Sequence, residues 1–233
     1  MKDKQRVAEH AAQLIQADML VGLGTGSTAN FFIEALARRQ QQEGLALEVV
    51  SSSVVSAIKA QQLGLKIRGM EHISRLDVYV DGADEVAPDL TLLKGRGSDL
   101  VREKLLAKAA KAFWVLIDPS KRVERIGQNF PIPIEVLPFA WQLLSRSLEQ
   151  IGGQPKLRAN GDGLFVTSSG SLVLDTVFDP ALDGKTLNDR LNALPGIPEH
   201  GIFADLATAV FCGQDGAVLE HRDLPRVPPR RPE

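Results

Sequence analysis

Apolar residues in the first half of the chain follow two alternating rhythms. Val7, Ala11, Leu14 and Ile15 recur every three or four positions, which predicts a helix over residues 3–17. Residues 19–23 form a short continuous apolar run that ends in glycines, the pattern of a buried strand. The alternation continues with a helix over 28–39, a strand over 47–50 and a helix over 54–63 that Gly64 stops. Short strands over 65–67 and 76–80 follow, then a helix over 100–111 with Val101, Leu105 and Ala109 on one face, then a strand over 113–117. Strands alternating with helices predict an α/β fold, a parallel sheet wrapped by helices.

The pattern changes at Pro131, Pro133 and Pro138, three prolines in eight residues that read as a boundary. A helix over 139–151 follows, then strands over 164–167 and 172–175 joined by Ser168-Ser169-Gly170-Ser171 as a hairpin, then a helix near 186–194 stopped by Pro195-Gly196. That order predicts a small α+β domain. Strands over 202–203, 208–211 and 217–220 are expected to rejoin the first sheet. The predicted division is residues 1–130 with 201–222, a smaller domain over 131–200, and a Pro/Arg-rich tail over 223–233 that reads as disordered.

Composition narrows the function. The chain has 233 residues, 44% hydrophobic and 24% charged, with net charge −2. A chain of this size buries roughly 70% of its unfolded surface, so a core is available. The charge balance gives no basic field for nucleic acid or an anionic membrane. No apolar run approaches the ~20 residues that span a bilayer, and residues 1–18 are charged and amphipathic, unlike a signal core. The single cysteine, Cys212, lies in an apolar run without a cationic neighbour and reads as an inert buried thiol. A cytoplasmic protein is expected.

Candidate chemistry sits where strands end. Gly22-Leu23-Gly24-Thr25-Gly26-Ser27-Thr28 joins the first strand to its helix with three glycines and three hydroxyls. A helix N-terminus after such a loop favours an anion, most naturally a phosphate. A dinucleotide site wants an acid after the second strand, where this chain has Ser51-Ser52-Ser53, and no Walker-type lysine follows the loop. Asp81 and Asp84 bracket Gly82-Ala83; Lys94 follows in a glycine-broken loop, and Glu103 opens a helix. Each alone has an ordinary explanation as a turn, cap or solvated side chain. Together they place acids, a base and a cation at the strand end where open α/β sheets bind ligands. No His or Cys accompanies them at zinc spacing, while a carboxylate-only magnesium site stays open.

These residues resemble ribose-5-phosphate isomerase, type A. The resemblance is carried by Gly24-Thr25-Gly26-Ser27-Thr28, Asp81-Gly82-Ala83-Asp84-Glu85, Lys94-Gly95 with Arg102-Glu103-Lys104, and Asp118-Pro119-Ser120-Lys121. Pro133-Ile134-Glu135-Val136, Leu194-Pro195-Gly196 and Gly201-Ile202-Phe203 also match, so the similarity spans roughly residues 5–220. It implies a Rossmann-like catalytic domain with a small α+β lid, no metal or cofactor, and a homodimer or homotetramer. It implies interconversion of ribose 5-phosphate and ribulose 5-phosphate in the pentose phosphate pathway. Glu103 is then the base between C1 and C2, and Asp81, Asp84 and Lys94 meet the sugar and its reacting oxygens. Thr25, Gly26, Ser27, Thr28, Gly82, Ala83, Gly95, Arg96, Gly97 and Lys121 bind substrate.

Three departures stand out. Arg96 replaces a glycine, Asp99 a small residue, and Ala207-Thr208 an Ala-Asp pair. A left-handed backbone at residue 96 costs an arginine about 1–2 kcal/mol; in any other conformation Arg96 adds a cation near the anion site. Arg96 and Asp99 motivate the alternative reading, a sugar-phosphate sensor without catalysis.

Overall fold

The computed structural model describes residues 2–97 and 99–222. The predicted tail, 223–233, lies outside them. The chain runs α1 (Lys2–Gln13), β1 (Leu20–Leu23), α2 (Ser27–Glu43), β2 (Glu48–Ser51), α3 (Val54–Gln62), β3 (Leu76–Gly82), β4 (Glu85–Val86), β5 (Leu92–Leu93), α4 (Leu100–Ala109) and β6 (Ala110–Ile117). It continues β7 (Ile132–Val136), α5 (Trp141–Gln150), β8 (Gly153–Leu157), β9 (Ala159–Asn160), β10 (Gly163–Leu164), β11 (Leu172–Phe178), α6 (Gly184–Asn192), β12 (Glu199–His200), β13 (Ile202–Phe203), β14 (Ala209–Gln214) and β15 (Ala217–Arg222).

The main sheet has the order β15-β14-β6-β3-β1-β2. Every neighbouring pair is parallel except β14 with β15. Its central strands are apolar on both faces because helices cover both. Val7, Ala8, Ala11 and Ala12 of α1 and Phe32, Ile33 and Leu36 of α2 pack on Val21, Leu23, Val78 and Val80. On the other face Tyr79, Phe113 and Val115 pack with Leu100, Leu106 and Ala107 of α4. The carboxyl ends of β1, β3 and β6 therefore open at one edge, bringing residues 24–28, 82–84 and 118–121 together.

A four-stranded sheet, β12-β7-β11-β8, is antiparallel throughout and built from residues 132–200. Helices α5 and α6 cover it through Leu144, Leu148, Leu187 and Leu191, and the same core takes in Leu93, Ile126 and Ile202. The middle of the proline-rich stretch is the fully buried strand β7, with which the second sheet begins. Pro133 is tolerated there, its carbonyl accepting the Gly201 N–H at 2.8 Å. The expected 164–167/172–175 hairpin reduces to a bridge between Val166 and Leu172, and β11 pairs with β7 and β8 instead.

Three further expectations need correction. Residues 202–203 do not rejoin the main sheet; β13 pairs with β5 in a small sheet with β4, whereas β14 and β15 do join the main one. Residues 65–67 make only a bridge from Ile67 to Val49. On α4 the buried face is Leu100, Glu103, Lys104, Leu106 and Ala107, while Leu105 is exposed. Periodicity misplaced that face because the helix turns charged residues inward toward charged partners, which an apolar pattern cannot register. Among the described residues no helix is long and apolar enough to cross a membrane.

Candidate active site

At the carboxyl edge of the main sheet lies a cavity of about 230 Å³. Its first wall is the β1–α2 loop. Gly24 runs so close to β3 that a Cβ there would collide with the Asp81 carboxylate. Gly26 takes φ 109°, open to glycine but rare for other residues. That turn starts α2 at Ser27 without a side-chain cap, so Thr25, Gly26, Ser27 and Thr28 line the cavity beneath free helix N–H groups. The Thr25 hydroxyl itself is tied back to Ser52, Ser53 and Ser56 at 2.7–3.2 Å.

The second wall is the turn after β3, with Gly82, Ala83 and Asp84, and the third is the loop after β5, with Lys94, Gly95 and Gly97. Glu103 from the first turn of α4 closes the floor, and Lys121 stands at the end of β6. Residues the sequence reading did not assign also face the cavity. Lys4 reaches over from α1, 3.4 Å from Ser27 Oγ and 3.7 Å from Asp118. Nothing local marks Lys4; only the packing of α1 beside β14 and α2 brings it there. Partial burial raises Asp118, but Ser120, Lys4 and Lys121 outweigh it and hold the carboxyl below its usual range.

Asp81 is placed differently from the expectation. It is 1% exposed and absent from the cavity lining. Lys94 stands in front of it, its ammonium 2.8 Å from Asp81 Oδ2, 2.7 Å from the Gly82 carbonyl and 3.2 Å from Glu103 Oε2. Burial alone would push Lys94 down; Asp81 and Glu103 more than offset this and hold it above its ordinary value. Burial has the opposite consequence for Glu103. It raises the carboxyl to about 7, with Asp81 and Asp99 adding to the rise and Lys94 opposing it. Glu103 Oε2 takes no hydrogen bond, so it meets Lys94 as an ion pair without hydrogen-bond alignment.

Arg96 does not adopt positive φ, so the left-handed penalty does not arise. Its N–H donates to Asp84 at 3.3 Å, while its guanidinium stacks 3.8 Å from the Phe130 ring centre, outside the cavity lining. Phe130 is held in turn by Glu85, a fully buried carboxylate that accepts the N–H groups of Gly127, Asn129 and Phe130 at 2.6, 2.6 and 3.2 Å. Arg158 braces the same loop, forked onto Asp175 and donating to the Gly95 and Arg96 carbonyls at 3.4 Å. Lys104, next to the candidate base, points away from the cavity. It pairs with Glu199, donates to the His200 carbonyl at 2.8 Å, and is lowered to about 8 by burial. Asp99 accepts from Ser168 at 3.2 Å.

The chemistry available is a carboxylate base tuned near neutrality, an ammonium beside it, and, lining the same cavity, the N-terminus of α2 with Lys4 and Lys121. Among the described residues, no group of three His, Cys, Asp or Glu side chains is gathered to hold a metal.

The model of the family "Ribose 5-phosphate isomerase A (phosphoriboisomerase A)" matches residues 48–216. A ribose-5-phosphate isomerase A from Thermomicrobium roseum is 42% identical over 217 residues, covering 92% of this chain and 91% of the relative. One from Roseiflexus sp. is 41% identical, covering 94% and 95%. The solved ribose 5-phosphate isomerase A of Methanocaldococcus jannaschii superposes with TM-score 0.90 at 32% identity, covering 95% of this chain and 99% of its own. A D-ribose-5-phosphate isomerase in complex with phospho-erythronic acid superposes with TM-score 0.91 at 35% identity, covering 95% and 98%. With motifs, fold and cavity in agreement over nearly its whole length, the chain belongs to the ribose-5-phosphate isomerase A family of aldose–ketose isomerases.

Proposed function

We propose that this protein interconverts D-ribose 5-phosphate and D-ribulose 5-phosphate by proton transfer through an enediolate. The observation that carries the reading is the buried Glu103 carboxyl, raised to about 7, 3.2 Å from the Lys94 ammonium on one cavity floor.

The phosphate is assigned to the α2 N-terminus, where free N–H groups, the Ser27 and Thr28 hydroxyls, Lys4 and Lys121 converge. Anchoring the remote dianion orients the pentose and supplies binding energy for the chemical step. Asp84 lines the cavity and takes the anomeric hydroxyl proton as the C1–O4 bond breaks, and that proton is delivered to O4 as the furanose opens. Glu103, as carboxylate, then removes the C2 proton beside the C1 aldehyde. The electron pair moves into a C1–C2 double bond, and charge builds on oxygen. Lys94 and the neighbouring loop N–H groups stabilise that charge; one such donor is worth about 3–4 kcal/mol. A proton passes from O2 to O1, and Glu103 returns the carbon-derived proton to C1 as O2 becomes the carbonyl, giving the ketose. A base near neutrality serves both halves of the transfer.

The same reading makes residues 131–200 a lid, with Arg158 tying its sheet to the substrate loop. It also gives a homodimer or homotetramer, supported by Phe139 and Leu143, exposed large apolar residues one helical turn apart, and a cytoplasmic location, supported by the unpaired Cys212. A sensor without catalysis loses its motivation, because Arg96 is stacked on Phe130 and Asp99 is engaged by Ser168. The test is a coupled assay with ribose 5-phosphate on the parent and on Glu103→Gln. The parent turns over, and the variant loses about 10²–10⁴ in kcat. An inactive parent that binds the sugar, or an unimpaired variant, contradicts the assignment.

A further inference from the structure

Among the buried titratable groups that take no part in the proton transfer, Tyr79 touches the charged cluster of the cavity directly. Tyr79 is the only tyrosine in the chain and is fully buried. It stands two residues before Asp81 on β3, so both side chains leave the same face of the strand. Its ring stacks on Phe113 at 4.9 Å. Its hydroxyl reaches Asp81 Oδ2 at 2.5 Å.

A carboxylate offers about four acceptor positions. At Asp81 all are taken: Oδ1 by the N–H groups of Thr25 at 3.1 Å and Gly82 at 2.7 Å, Oδ2 by Tyr79 and by Lys94 at 2.8 Å. The approach from β1 is closed as well, since Gly24 lies against the carboxylate. No lone pair and no open side remain for a sugar hydroxyl.

We propose that Tyr79 is a positioning residue of this site, and that its hydroxyl completes the shell that makes Asp81 a fixed anchor for Lys94 instead of a partner of the sugar. This rests on the isomerase reading and deepens it: ring opening falls to Asp84, and Asp81 acts through the lysine. The shell has a hierarchy. Two main-chain donors fix Oδ1 and are set by the backbone, whereas Oδ2 is shared between Tyr79 and the Lys94 ammonium. Without the hydroxyl, Oδ2 can rotate to follow Lys94, and the ammonium loses its fixed distance from Glu103. Burial, then the charges of Asp81 and Glu103, push the tyrosine hydroxyl well above its ordinary value, so it remains a donor.

The experiment is a double-mutant cycle in kcat and KM on the full chain, with Tyr79→Phe, Asp81→Asn and both. Phenylalanine keeps the stacked ring and removes only the donor. Tyr79→Phe is expected to lower kcat about ten-fold with KM within about two-fold, and to cost less than about two-fold when Asp81 is already asparagine. A ten-fold loss that persists in the Asp81→Asn background, or no loss in either, overturns the proposal. A second measurement is independent of how the variants fold. With one tyrosine, protein labelled with ¹³C at tyrosine Cζ gives a single resonance. That resonance is expected to hold its position when phospho-erythronic acid fills the cavity. A large shift on binding would mean that the shell opens to ligand, which contradicts it. An inactive parent instead sinks the isomerase reading, so the two failures are told apart.

Discussion

Replacing Glu103 by glutamine removes a titrating proton from the floor of the cavity and keeps the side chain's shape. The same substitution that is expected to lower kcat by about 10²–10⁴ is expected to stabilise the protein, and only above a certain pH. In the folded chain burial holds the Glu103 carboxyl at about 7, against 4.5 for the free group. Between those values the folded state binds more protons than the unfolded one, so this residue's contribution to stability falls as pH rises. Above pH 7 the ionised, buried carboxylate disfavours the native state by roughly 3 kcal/mol, and below about pH 4.5 by nothing. Glutamine removes that penalty, and Lys94 keeps its partner Asp81 at 2.8 Å. For a chain of this size the gain corresponds to a rise in Tm of about 6–12 °C at pH 8. Calorimetric scans of both proteins at pH 5 and pH 8 read it out. A variant that gains no more at pH 8 than at pH 5, or is less stable at pH 8, refutes the argument that burial sets the state of Glu103.

Other outcomes follow from the same geometry. Gly24→Ala drives a methyl group into the Asp81 carboxylate; turnover should fall at least ~100-fold, because small displacements of positioned groups are that costly, and near-parental kcat would contradict the close approach. Glu85→Gln turns an amide N–H₂ of a fully buried side chain toward one of the three N–H groups at the base of Phe130, with an expected loss of about 1–3 kcal/mol in urea unfolding; an unchanged midpoint contradicts that anchoring role. The acid limb of kcat/KM should lie near pH 7, where the base must be ionised, and a limb near pH 4 argues against Glu103. Every proposed step uses side chains and main-chain N–H groups, so activity should survive exhaustive EDTA treatment; loss restored by a divalent ion would contradict the mechanism.

Much of this was legible in the sequence because local rules govern it. The continuous apolar runs of β1, β3 and β6 announced a sheet covered on both faces, and glycines with hydroxyls announced the turn into α2. What stayed hidden depends on tertiary neighbours. β7 reads as a proline boundary because Pro133 and Glu135 interrupt its apolar run between Pro131 and Pro138, so neither strand pattern shows. The inward face of α4 was misplaced because Glu103 and Lys104 are buried by charged partners on other elements, Lys94 and Glu199. Lys4 looks like any surface lysine of α1 until that helix is docked. Asp81 and Asp84 look equivalent in sequence, three residues apart on one turn. Asp81 is still on β3 and sits behind Lys94, whereas Asp84 lies past the end of the strand and lines the cavity. Arg96 is legible only through Phe130, whose loop is fixed by Glu85 from another sheet.

The central claim is that one carboxylate carries a proton between neighbouring carbons of the pentose. ¹H NMR of ribose 5-phosphate with the enzyme in D₂O tests it directly. The account predicts deuterium at C2 of the aldose and C1 of the ketose, appearing with turnover in the parent and vanishing in Glu103→Gln. Ketose formed at full rate by the glutamine variant, with the label still entering, would contradict it.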